Sequence, residues 1–311
     1  MNIAAIKCSA GLNLGNNFIN AGGKAVLRKL FPDANREYFE FYDSCLPQWN
    51  STDILTPHTI DHIRNTHDVI YVFAGSAGGK AMFDSFFEPL NEIGVPFVPI
   101  GIGCDGGYEE EDVVYINRIN SLSNCAKLVT RDPKTYEFIE NKENVMSGVD
   151  LAFFAKHHYG NVKQNSDYRY AVINYEPHGI LDLDEAFKLK NQIYNAFDKV
   201  YFIENTVAPS RKDIPDYIQI GYDKDLWRFY ANASLVVTTR IHSCVCSISN
   251  EVDFIYLGNH DVGGKKGRNT LFNSFGITLK YNELYNSSEY QEQINTVKDK
   301  YLTQLKGFLN E

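Results

Sequence analysis

The sequence predicts an α/β protein of two Rossmann-like lobes facing a cleft. Three features carry that expectation. Short apolar runs alternate with amphipathic stretches almost from end to end, the alternation restarts after a polar interval, and one long amphipathic stretch closes the chain. Such alternation is the pattern of βαβ units around parallel sheets.

In the first half the apolar runs predict strands over residues 2–8, 37–41, 69–73, 97–100 and 127–130. Amphipathic spacing predicts helices between them over 18–30, 80–93, 112–123 and 134–141. The stretch KHHYGNVKQNSD, residues 156–167, is polar and turn-rich without apolar period, which places a seam there. Beyond it, strands are expected at 170–174, 200–203, 235–238 and 254–257, and helices at 184–197, 225–232, 243–249 and 270–275. A last helix runs over about 289–309. The division is therefore a first lobe of residues 1–160, a second of 161–285, and a C-terminal helix of 286–311. Two such lobes would bring the carboxyl ends of both sheets to a shared cleft, the usual ligand position in open α/β sheets.

Composition limits the function classes. Of 311 residues, 44% are hydrophobic and 22% charged, a globular balance, and the net charge of −9 argues against a dedicated nucleic-acid binder. The N-terminus lacks a signal-peptide core and no apolar run is long enough to span a membrane. A cytoplasmic protein is expected, with peripheral membrane association left open. The six cysteines form no CxxC pair, so free thiols are expected, and no clustered ligand spacing suggests a metal. No cofactor is called for, and the oligomeric state is not legible.

Several loops at strand ends could carry chemistry. Asn13-Leu14-Gly15-Asn16-Asn17 follows the first strand, where amides of a helix start and of Asn side chains could meet an anion or a sugar; a plain N-cap is the alternative. The run 74–81, with Gly75 and Ser76, resembles a P-loop but lacks its first glycine and its magnesium-binding hydroxyl, so a ligand-approaching turn is the better reading. Gly101-Ile102-Gly103-Cys104-Asp105-Gly106 satisfies GxGxxG literally. Acidic residues 109–112 crowd the helix start that should receive a pyrophosphate, which leaves a structural turn. Arg131 could bind an anion or pair with Asp132, and Asp150 could be an acid, a base or a cap.

The strongest signal is Leu235 to Ser243. An apolar strand ends in two threonines, and Arg240, His242 and Ser243 stand where the next helix opens. A guanidinium offers bidentate bonds to phosphate or carboxylate, imidazole titrates near neutrality, and a helix N-terminus favours an anion. Lys265, Lys266 and Arg268 form a basic loop after the following strand, suited to phosphate contact.

Taken in order, NLGNN, AGSAGG, the GIG turn, LVTRDPKTYEF, GVDLAF, VVTTRIHS and a lysine after the next strand resemble the polysaccharide pyruvyl transferase family. TRIHS looks like that family's Arg–Leu–His motif, with Ile241 in the leucine position. Two departures stand out: Asn16 follows Gly15 where the family often has Asp, and Glu251-Val252-Asp253 replaces Gly-Val-Pro. The resemblance implies a GT-B-like fold, a C-terminal helix crossing back onto the first lobe, and transfer of the enolpyruvyl unit of phosphoenolpyruvate to a sugar or lipid-linked glycan, usually as a cyclic ketal. Phosphoenolpyruvate enters as co-substrate. Arg240 with Lys265, Lys266 or Arg268 would anchor its two anionic groups, and His242 would be the acid. Arg240 and Asp150 complete the expected catalytic set. A GT-B glycosyltransferase using a nucleotide sugar, or a non-catalytic sugar-phosphate binding module, are the competing expectations.

Overall fold

The computed structural model describes residues 1–7, 14–39, 57–75, 79–104, 110–164, 167–174, 181, 183–204, 214–258 and 268–310; the side chains of residues 81, 110, 111, 268 and 269 lie outside that description. The first sheet contains β1 (Asn2–Ile6), β2 (Asn35–Phe39), β3 (Val69–Phe73), β4 (Phe97–Ile102), β5 (Leu128–Thr130) and β6 (Val145–Met146). All are parallel, in the order β2-β1-β3-β4-β5-β6. Its helices include α1 (Leu14–Leu30), α2 (Pro57–Thr66), α3 (Gly79–Met82), α4 (Glu88–Glu92), α5 (Glu110–Asn120), α6 (Pro133–Glu137) and α7 (Lys156–Tyr159). The second sheet is built from β7 (Tyr170–Asn174), β8 (Lys199–Ile203), β9 (Tyr217–Ile218), β10 (Leu235–Thr238), β11 (Asp253–Tyr256) and β12 (Leu284–Tyr285). Its order is β12-β11-β10-β7-β8-β9, with only β12 antiparallel. Helices α8 (Leu183–Ile193), α9 (Asp223–Ala231), α10 (Ile241–Ser249) and α11 (Gln291–Asn310) complete the chain.

Parallel strands are covered on both faces, so their sequences read as continuous apolar runs rather than alternating ones. Ile70, Tyr71, Val72 and Phe73 of β3 are all buried, as are Leu235 to Thr238 of β10. One core joins the two halves. Phe18 of α1 meets the Trp227 ring of α9 edge-on at 5.1 Å, and Tyr159 lies tilted beside the same indole at 5.2 Å while its hydroxyl donates to Asp223 at 2.6 Å. Aromatic pairs of this geometry add about 0.5–1.5 kcal/mol each beyond area burial. Helix α11 starts against α10, where the Gln291 amide donates to Ile248 O at 2.7 Å. It ends against the first sheet, where Lys127 donates to the Phe308 carbonyl.

The structure corrects several expected limits. Helix α1 opens at Leu14, four residues before the apolar pattern suggested, because Leu14 itself enters the core. Strand β4 continues through Ile102, and the glycine turn expected there is a bulge: Gly101 has φ of +80° and the register to β5 shifts beside it. Helix α6 stops at Glu137. The start of the polar interval 156–167 forms α7, which packs against α1.

Candidate functional site

Helix α10 begins where the ends of three strands are tied together. The Thr238 hydroxyl closes β10, accepts from the Arg240 amide at 2.9 Å and donates to Asn174 Oδ1 at 2.9 Å. The Asn174 amide in turn donates to Ile203 O at 3.2 Å, so β10, β7 and β8 are linked at their carboxyl edge. Arg240 is the N-cap residue, with extended backbone, and His242 sits in the first turn. Beyond that turn the helix is buried, with Cys244, Val245, Cys246 and Ile248 inaccessible. The helix axis is thus anchored, and its partly positive N-terminus faces the strand ends.

Asp150 reaches the same place from the first lobe. The chain turns at Gly148, where a Cβ would lie 2.2 Å from Thr130 O, so only glycine fits. Asp150 then caps the 3-10 turn Leu151–Phe154: one carboxylate oxygen accepts from the Ala152 amide at 2.8 Å. The other, Oδ2, lies 3.7 Å from His242 Nε2, an ion-pair distance longer than a hydrogen bond. Neither atom has a hydrogen-bond partner among the described residues. The Asp150 side chain is 1% exposed and that of His242 13%. Burial pushes the Asp150 carboxyl up, but the His242 imidazole, the Arg131 charge and the Ala152 amide outweigh it, and the group ends below its usual range. Asp150 is therefore an anion at neutral pH. Tyr301 of α11, fully buried, feels that charge, and its hydroxyl also lacks a partner among the described residues. Buried polar atoms left open in one region mark a place for a ligand or ordered water.

Helix α1 packs along both the 3-10 turn and α10, and Gly15, Asn16 and Asn17 occupy its first turn. Arg131 is buried among the strand ends of the first lobe. Its guanidinium donates to Gly75 O at 3.0 Å and to Cys104 O, with Nε 3.6 Å from Asp132 Oδ2, and a Cβ on Gly103 would strike it. It braces the ends of β3 and β4 and uses Gly75 as an acceptor, while acting on Asp150 through charge. Asp132 caps α6, accepting from the Thr135 amide at 2.8 Å and its hydroxyl at 3.1 Å. Ser243 also points inward: its hydroxyl donates to Tyr230 at 3.2 Å and is fully buried, so its side chain joins α10 to α9. Asn13, Ser76, Lys265 and Lys266, and the side chain of Arg268, lie outside the described residues.

Sequence reasoning missed Tyr301, which reads as one more core position of an amphipathic helix. It also missed Glu204, buried directly after β8. A cavity of about 580 Å³ does exist elsewhere, between Tyr168, Tyr170, Arg228 and Asp253. Tyr170 and Asp253 open β7 and β11, so this cavity lies at the amino ends of the strands, opposite the ends that carry Arg240 and His242.

Two α/β lobes with parallel sheets, meeting at their carboxyl edges around groups from both, define the GT-B class. Solved structures agree on the fold. The UDP-GlcNAc 2-epimerase of Methanocaldococcus jannaschii matches with a TM-score of 0.55 at 12% identity, covering 96% of this chain and 99% of its own. The Neisseria meningitidis enzyme, solved with UDP-GlcNAc, gives 0.56 at 9% identity over 98% and 94%. MnaA of S. aureus, solved with UDP, gives 0.58 at 11% over 97% and 89%. Among curated protein sequences nothing matches. The polysaccharide pyruvyl transferase family matches residues 13–261, and the chain belongs to that family. Among the described residues no helix is long and apolar enough to cross a membrane.

Proposed function

We propose that this protein transfers the enolpyruvyl group of phosphoenolpyruvate to a hydroxyl of a sugar in a polysaccharide or glycan precursor and closes a pyruvyl ketal. The observation that carries the reading is the Asp150–His242 pair beside Arg240 at the N-terminus of α10. The donor has a phosphate and a carboxylate. Arg240 and the α10 N-terminus suit one of these anions, and Lys265, Lys266 or Arg268 would take the other. His242, protonated, delivers its proton to the methylene carbon, leaving positive charge on the adjacent carbon. A sugar hydroxyl adds there and gives up its proton. The carbon–oxygen bond to phosphate then breaks, inorganic phosphate departs with that proton, and a second hydroxyl closes the ketal and returns a proton to His242. Asp150, held as an anion, stabilises the imidazolium before transfer and orients it. Preorganised charge of this kind is the largest common source of rate acceleration. No cofactor enters this chemistry. On this reading the second lobe is the donor side and the first lobe, with Asn16 and Asn17, the acceptor side.

The GT-B architecture, shared with enzymes solved with UDP-GlcNAc or UDP, makes a nucleotide sugar the competing donor. The protein is incubated with glycan acceptors and either donor, and phosphate release, nucleotide release and acceptor mass are followed. Phosphate release with a ketal on the acceptor supports the reading. Consumption of nucleotide sugar assigns glycosyl transfer, and binding without turnover of either donor assigns a binding module. His242→Gln should cut phosphate release by about 10²–10⁴-fold, because an amide cannot deliver the proton.

A further inference from the structure

We propose that Glu37, His62 and His67 form a binding site for a divalent transition-metal ion of the zinc type, at the β2 edge of the first sheet. Glu37 lies on β2, the edge strand; His62 is in the middle of α2, and His67 follows that helix directly. One donor atom from each residue falls within 4.8 Å of the others. Glu37 Oε2 is 2.8 Å from His62 Nε2 and 3.4 Å from His67 Nε2. Donors on a tetrahedral zinc, each bound at about 2.0–2.1 Å, lie about 3.3 Å apart, so small side-chain shifts suffice.

The proton inventory points to a cation between these atoms. The Thr66 hydroxyl donates its one proton to His62 O at 2.6 Å. It also lies 2.8 Å from His67 Nδ1, and with its own proton committed it can only accept there. His67 Nδ1 therefore carries a hydrogen, and in the neutral ring Nε2 presents a lone pair to the Glu37 carboxylate. A lone pair facing an anion at 3.4 Å is repulsive unless a proton or a metal ion sits between them. The His67 side chain is 4% exposed, so its lone pair is held against the carboxylate and away from solvent. Fixing one ring nitrogen through a hydrogen bond while the other faces the donor set is how metal-ligating histidines are oriented. The Phe39 ring closes one side, 5.8 Å from His67 and 6.4 Å from His62.

Two imidazoles and a carboxylate suit zinc and its neighbours and are poor ligands for magnesium or calcium. Three protein donors leave one position for water. The ion would tie α2 and the residue after it to β2.

The test uses the full-length protein without a tag, stripped with chelator and titrated with zinc chloride by calorimetry. One ion per chain is expected, with affinity falling about 100-fold or more in His62→Ala and in Glu37→Gln, two partly exposed positions whose replacement leaves the fold intact. Zinc should raise the melting temperature of the parent and of neither variant. Cobalt loading of the parent gives a check that needs no variant: visible absorption without a thiolate charge-transfer band is expected. No saturable zinc binding, undiminished affinity in the variants, or a thiolate band would each overturn the site.

Discussion

Gly22 controls the distance between α1 and the turn that holds Asp150. A Cβ placed there would lie 1.7 Å from Leu151 O and 2.5 Å from its carbonyl carbon. To reach even 3.0 Å that oxygen must retreat by about 1.3 Å, and Leu151 is the residue next to Asp150. Helix propensity alone makes Gly22→Ala a gain of about 1 kcal/mol. The clash is with backbone, which cannot swing aside, and forced overpacking costs about 1–3 kcal/mol. The net expectation is a loss of about 0–2 kcal/mol, visible as a melting temperature lower by up to a few degrees. Misplacing the Asp150 turn by about 1 Å should also lower turnover by roughly 10²-fold. Gly307→Ala is the matched control: Gly307 is inside α11 with nothing within 4 Å of its added Cβ, so the same exchange should stabilise the protein by about 0.5–1 kcal/mol. Melting curves on both variants and phosphate-release rates on Gly22→Ala decide the matter. A Gly22→Ala protein that melts at or above the parent and keeps full turnover would refute the reasoning.

Burial, then the Lys156 charge, lower the Lys298 pKa to about 8 from an ordinary 10.5. The native state therefore binds fewer protons than the unfolded chain between those values, so stability should rise with pH across that window and be most penalised below it. Lys298→Met should add on the order of 2–3 kcal/mol at pH 7 and flatten the rise, as read by denaturant melts from pH 7 to 10.5. Asp150→Asn keeps the acceptor for the Ala152 amide but removes the charge opposite His242, and turnover should fall about 10²-fold or more in a folded protein. Because the Asp150 pKa is depressed, the parent should lose stability as pH falls below the usual carboxylate range, and the variant should lose less. Arg240→Lys keeps the charge but not the planar fork, so donor affinity by calorimetry should weaken at least about tenfold while the melting temperature holds.

Much of the fold was legible because buried parallel strands are apolar runs with sharp ends. The runs at 69–73, 170–174 and 235–238 coincide with β3, β7 and β10. Strands β6, β9 and β12 were not legible, since two residues contain no period to detect. Helix α2 escaped for a related reason: among its ten residues only Ile63 is buried, so it has no apolar stripe. The Glu37–His62–His67 cluster was hidden by distance along the chain. Its donors come from a strand and from a helix 25 residues later, whereas metal motifs are recognised in sequence by close spacing.

The site was legible in halves. Arg240 and His242 announce themselves because a strand end and a helix start meet in five residues, but nothing in the sequence assigns His242 a partner 92 positions away. Ser243 shows the limit of adjacency. One residue along an α-helix turns a side chain by about 100°, so His242 faces the strand ends while Ser243 faces Tyr230. Asp150 looks like a cap and is one, through a single oxygen; its second oxygen makes it more. Each half of the pair is fixed by its own lobe, His242 through the Thr238–Asn174–Ile203 chain and Asp150 through the turn that α1 supports. At 3.7 Å the two stop short of a hydrogen bond, and moving the lobes less than 1 Å closer would complete it. The separation of the pair thus depends on how tightly the shared core closes, which links the Phe18–Trp227 contact between the lobes to the Asp150–His242 distance.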